Sequence, residues 1–286
     1  MAAITSTSAS VSASSTTTIP TSVESDNPLT FQLTNVQDIF DKIDHAPGDS
    51  LTVTKVSSNY FTEIQHEREK REKEGRRFRF RDYDSNSRIL IITILTSLHE
   101  TLHRPLYDEF IGQIRDMGLK KSWRDIGSAR RSAQQGQSGK EGDSAGGPNP
   151  QRATKGAWPT LVIEAGFSQT LEKLRLVMQR WFSISNHEVK IVLAKFDGTT
   201  ILLEKWEEEM PVRPGATATR YSLQHRQSIT ITQNATTNPI SYNVTRGALV
   251  LSFRLLFLRD PGPDEGDLVF SVQELEEYAE AVWAQV

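Results

Sequence analysis

The chain has 286 residues, 33 Lys or Arg against 36 Asp or Glu, a formal net charge of -3 and 37% hydrophobic residues, enough for one large domain or two small ones. It has no cysteine, which excludes a disulfide framework, zinc–thiolate and iron–sulfur sites and a thiol nucleophile, and points to an intracellular, reducing setting, nuclear or cytoplasmic. No run of about 18 apolar residues occurs, so no membrane-spanning segment is expected.

Residues 1–26 hold 14 Ser or Thr with Glu24 and Asp26 as their only charges, the composition of a disordered tail. They also lack the basic and apolar regions of a secretory signal. From Phe31 to Ile43 the apolar residues recur at helical spacing, with Asn35 placed to cap. Leu51, Val53 and Val56 suggest a strand. Residues 67–82, EREKREKEGRRFRFRD, interleave eight cations with five acids and read as a solvated helix face ending near Gly75. In the sharper alternative, Arg76, Arg77, Arg79 and Arg81 around Phe78 and Phe80 form a single-strand-binding surface. Together 27–87 make an N-terminal helical and charged region.

RILIITIL (88–95) reads as a buried strand, followed by a helix over about 96–117 and a strand near 124–132. Residues 133–157, with six Gly among polar residues, read as a flexible loop. Beyond it the pattern predicts the strand TLVIEAG (160–166), a helix over 168–182, strands at 188–196, 199–206, 228–232 and 248–258, and a helix over 271–284. That last helix opens with the capping-box pair Ser271 and Glu274. The fold class is mixed α/β (α+β).

The chemistry concentrates in 158–196. An apolar strand delivers Glu164 at its end, where burying a carboxylate demands a metal, a base or backbone donors. Upstream, GKEGDSA carries Lys140, Glu141 and Asp143. Two carboxylates with a lysine nearby would hold Mg²⁺, or Mn²⁺, and let it activate water for phosphodiester cleavage. Each residue also has an ordinary role. Glu164 could take backbone N–H bonds or pair with Arg175, Asp143 could be turn chemistry, and Lys173 a surface lysine. His99 and His103 lack an HExxH pattern and read as packing or capping residues, and the tryptophans as core. Nucleotide-loop, dinucleotide-loop, GxSxG and EF-hand motifs are all missing.

The order Asp143, Pro159 to Glu164, amphipathic helix, Val189 to Phe196 resembles the PD-(D/E)XK restriction-endonuclease-like core. The chain is similar to a group of fungal proteins of that superfamily over about 88–284. The shared features are His99, Glu100 and His103 on a helix, W-P-x-L-V-x-E-x-G-x-S (Trp158 to Ser168), Trp181, V-K-I-V-L (Val189 to Leu193) and the Gly247 to Pro261 segment. The resemblance implies an α-β-β-β-α-β core within 88–286, closed by a C-terminal β-rich extension. It also implies a metal-dependent nuclease acting on nucleic acid, with Asp143 and Glu164 as catalytic metal ligands and Glu100 as an accessory ligand. Gly142 and Gly166 stand where the motif has Pro and Lys. The basic role therefore falls to Lys173, with Arg175, Arg180 and Lys190 as alternatives. The competing expectation is a catalytically inactive descendant that binds protein or nucleic acid. A basic patch for nucleic acid could come from 68–81 or from Arg124, Arg130 and Arg131.

Overall fold

The computed structural model describes residues 29–72, 78–127, 131–132, 138–209 and 222–286. The expected tail 1–26 lies outside these residues, as do Arg76, Arg77 and Arg130. The elements run β1 (Leu29–Gln32), α1 (Val36–Asp44), β2 (Ser50–Thr54), α2 (Ser58–Glu72), β3 (Phe78–Asp84), β4 (Ile89–Ile94), α3 (Ser97–Asp116), β5 (Trp123–Asp125), β6 (Arg131–Ser132), β7 (Gly139–Lys140), β8 (Ser144–Pro148), β9 (Leu161–Gly166), α4 (Leu171–Ile184) and β10 (Lys190–Phe196). They continue as β11 (Thr200–Glu209), β12 (Ser222–Asn234), β13 (Ser241–Thr245), β14 (Leu249–Leu251), α5 (Phe253–Phe257), β15 (Leu268–Phe270) and α6 (Val272–Trp283). Among the described residues no helix is long and apolar enough to cross a membrane.

Two sheets organise the molecule. The first has the order β1-β2-β4-β3-β7-β6, the second β13-β12-β11-β10-β9-β8-β5. In the second, β5, β8 and β9 pair antiparallel in turn, and α4 carries the chain across to β10, parallel to β9. Its members with the preceding helix follow as α3, β5, β8, β9, α4, β10, with β6 and β7 of the first sheet intervening between β5 and β8. The division at 87/88 does not separate structural units, because it falls between β3 and β4, which form one antiparallel hairpin.

Local chemistry accounts for most elements. The side chain of Asn35 accepts from the Asp38 N–H and starts α1, which buries Ile39 and Phe40. Thr96 caps α3, whose stripe Leu102, Leu106, Phe110 and Ile114 at helical spacing packs into the larger core. Thr170 caps α4, and Ser271 with Glu274 forms the capping box of α6.

Three expectations change. The helix expected to end near Gly75 is α2, described as far as Glu72, but the alternative of an aromatic-basic surface changes, because Phe78 and Phe80 are buried in β3 against α1 and α2. These aromatics are core, so they do not form a stacking surface for bases. The expected loop 133–157 contains β7 and β8, both buried. Gly142, Gly146 and Gly147 serve close packing: a Cβ on Gly146 would lie 2.4 Å from Trp123 Nε1 and 2.6 Å from the Tyr107 hydroxyl. Residues 248–258 break at Ser252 into β14 and the short α5, whose first N–H, at Phe253, is taken by Asp267.

Candidate functional site

A β-bulge in β3 is where the site begins. The pairing of β3 with β4 shifts between Arg79 and Asp82. An extra residue there breaks the alternation of faces. Phe80 and Tyr83 both pack on Phe61 in the N-terminal core, while Arg81 and Asp82, between them, both face the second sheet.

Arg81 is 1% exposed, donates to Asp143 and forms an ion pair with Glu164. Its Nη2 lies 2.9 Å from Asp143 Oδ2 and its Nε 3.1 Å from Glu164 Oε2, and Nη2 also donates to the Ala165 carbonyl. The strands make this possible because Asp143 precedes β8 while Glu164 sits on neighbouring β9. The Ala165 N–H completes the link by donating to Asp143 at 2.8 Å. Trp181 Nε1 donates to Glu164 Oε1 at 2.5 Å. That bond explains the tryptophan late in α4 better than packing alone.

Charges of alternating sign extend from this centre in both directions. On one side His99 lies between two carboxylates, Nδ1 at 3.0 Å from Asp49 and Nε2 at 3.1 Å from Asp143. Asp49 also accepts from the backbone of Phe167 and Ser168 and from the Ser168 hydroxyl. Arg79 reaches outward, 3.3 Å from Asp143 and 3.3 Å from Glu100, and Glu100 meets His103. On the other side Lys140, fully buried, lies 3.6 Å from Asp82, which Arg180 holds at 2.7 Å. Arg68 of α2 clamps Glu141.

The protonation states follow the same logic. Burial would push Asp143 up, but the charges of His99 and Arg81 hold it well below the usual carboxylate range. Asp49 is likewise raised by burial and brought far down by the His99 bond and charge. Burial disfavours charged His99, yet Asp143 and Asp49 raise it from 6.5 to about 9, so the imidazolium persists at neutral pH. Glu164 is raised, chiefly by burial, with Arg81 opposing. Lys140 is lowered by burial despite Asp82 and Glu164.

Of the four expected site residues, Asp143 and Glu164 come together as anticipated. Among the described residues Glu100 has no direct hydrogen bond to Asp143; Arg79 links the two, and His99 and His103 act on both. Lys173 is a correction: it lines a separate cavity whose wall includes neither acid, because its face of α4 looks toward the first sheet. Lys140 is the lysine whose charge acts on Glu164. Arg175 instead pairs with Glu204. The proposed pairing of Glu164 with Arg175 therefore gives way to Arg81. Sequence reasoning noted Arg81 only within an aromatic-basic run and passed over Asp49. The signal for both was weak, since each reaches its partners across many intervening residues.

Mg²⁺ and Mn²⁺ need oxygen ligands with room for their waters. Here the acids are 3% and 0% exposed and share a guanidinium where such a cation would lie. As they stand they do not fit a hydrated divalent ion. Among the described residues no group of three or more His, Asp or Glu is arranged to hold a metal. No protein-family model matches the chain, and a comparison with curated proteins found no match.

Proposed function

We propose that this chain keeps the core of the PD-(D/E)XK endonuclease-like superfamily and binds nucleic acid without cutting it. The observation that carries this reading is the bridge from Arg81 to Asp143 and Glu164. A permanent side-chain cation offsets the charge of the acids that a nuclease would leave for metal and water. The order α3, β5, β8, β9, α4, β10 supports the superfamily assignment.

Nucleic acid is the favoured partner because the far end of β8 carries a basic rim. Lys120 and Lys121 are exposed there, and nearby Arg124 bonds the Ala153 carbonyl while Arg152 pairs with Glu188. Two bonds join the two turns, the Asn149 backbone N–H donating to the Ser122 carbonyl and the Asn149 side-chain Nδ2 to the Lys121 carbonyl. Five strand residues separate this rim from Asp143, about 16 Å along β8. Phosphates docked on it would sit away from the sealed acids.

A second reading, Mg²⁺-dependent phosphodiester hydrolysis at Asp143 and Glu164, is favoured by the convergence of both acids on one point. It requires Arg81 to withdraw first. The test is incubation of the full chain with plasmid DNA, single-stranded DNA and RNA in Mg²⁺ or Mn²⁺, beside fluorescence anisotropy on the same substrates across a salt series. The expected result is no cutting, with salt-dependent binding weakened by Lys120→Glu and Lys121→Glu. Metal-dependent cutting that disappears in both Asp143→Asn and Glu164→Gln would overturn the proposal in favour of the nuclease.

A further inference from the structure

The face of the first sheet turned away from α1 and α2 is only partly covered. Leu51, Val53, Leu90 and Ile92 point into the N-terminal core, so their neighbours on β2 and β4 point the other way, toward α4. Between that face and α4 lies a cavity of about 280 Å³. This is near the lower end of the range for small-molecule sites, about 300 to 1,000 Å³. It holds too little for a folded segment of chain, and it opens to solvent past Leu176, which is 62% exposed.

The lining has three zones. Ile89 and Ile91 on the sheet oppose Leu176 and Val177 on the helix, giving two apolar walls. Ser50 and Thr52 offer hydroxyls at one side, Ser50 already held by the Gln169 amide. Lys173 and Arg180 bring two cations against one lining carboxylate, Asp82. Behind Asp82, 3.6 Å away, stands Lys140, fully buried with no hydrogen bond on its ammonium. Arg180 and Lys140 both approach Asp82, and Asp84 holds Arg180 from outside, so Lys173 and Arg180 are the cations on the wall itself.

From this arrangement we infer a small-molecule site for a ligand with a compact apolar body and a single anionic end, carboxylate or phosphate. The body lies between the isoleucines and the α4 residues, and the anion sits against Lys173 and Arg180. Such a body loses water-exposed apolar area on entry, and the anion meets a positive field strengthened by the partly dry walls. The site goes beyond the nucleic-acid reading and does not depend on it.

The test is isothermal titration calorimetry of the full chain with four probes: adenosine 5′-monophosphate, benzoate, inorganic phosphate and adenosine. Adenosine 5′-monophosphate, benzoate or both are expected to bind at about 1 mM or better, with phosphate alone and adenosine alone at least about tenfold weaker. Which of the first two binds tells phosphate from carboxylate ligands. Lys173→Glu and Leu176→Asp both lie on the outer part of α4 and should leave the melting temperature near that of the parent. Each should weaken the bound probe about tenfold. Absence of heat with all four probes, or binding unchanged in both variants, overturns the site. Inorganic phosphate binding as tightly as adenosine 5′-monophosphate would overturn the role of the apolar walls.

Discussion

Replacing Arg81 by methionine keeps most of the side-chain volume and removes the charge between Asp143 and Glu164. In the native chain that guanidinium supplies an ion pair to each acid and a bond to the Ala165 carbonyl, all at 1% exposure. Breaking a buried pair by deleting one partner costs about 3 to 5 kcal/mol. For a chain of this size that corresponds to a melting temperature lower by roughly 6 to 10 °C. The cost should depend on pH in a particular direction. Without Arg81 the two carboxylates can coexist only if one takes a proton, and Glu164 already leans toward the protonated form. The loss should therefore be largest near pH 8 and smaller near pH 5, where protonation relieves the repulsion. Arg81→Lys should recover only part of it, since one ammonium cannot span both acids with the same geometry. Arg81→Met combined with Glu164→Gln should be more stable than Arg81→Met alone. Urea denaturation at the two pH values, followed by tryptophan fluorescence, measures all of this. A loss below about 1 kcal/mol that is equal at pH 5 and pH 8 would refute the claim that Arg81 neutralises the acid pair.

Three further outcomes are expected. His99 is held at about 9 against 6.5 for the free group, so its contribution is complete below about pH 6.5 and lost as pH rises through 9, worth about 3 kcal/mol. Asp49 and Asp143 are lowered, so theirs is present above pH 3.8 and lost as pH falls. The melting temperature should thus plateau between about pH 5 and 6.5 and fall as pH rises toward 9, and His99→Gln should flatten that alkaline limb; an unchanged limb would assign it elsewhere. Gly146→Ala places a methyl 2.4 Å from Trp123 Nε1 and should cost about 1 to 3 kcal/mol, read from the urea midpoint. Trp181→Phe leaves Glu164 without its indole donor and should cost about 1 to 3 kcal/mol, with part recovered by adding Glu164→Gln.

What the sequence disclosed was whatever local chemistry governs. The caps at Asn35 and Ser271 each involve residues within a few positions of one another. Glu164 also stood out, as a lone acid ending an apolar run. Arg81 did not, because its identity as a core cation depends on a bulge that sets it beside Asp82 and on partners 62 and 83 residues away. The glycines at 142, 146 and 147 misled for a related reason. A glycine marks a turn when its torsions are needed and a strand when a neighbour's bulk is, and only the position of Trp123 and Tyr107 tells which.

The attachment of Asp49 to both halves has a consequence for dividing the chain. Asp49 enters β2 in the first sheet, yet its carboxylate is satisfied by His99 and by the amides of Phe167 and Ser168, beside the second. Arg81 makes the reverse journey. A fragment starting at residue 88 would leave β4 without either neighbour strand and the acid pair without its counter-ion, while a fragment ending at 87 would leave Arg81 and Asp49 unpaired in water. The two sheets should therefore melt in one cooperative transition, and neither piece is expected to serve as an autonomous folding unit.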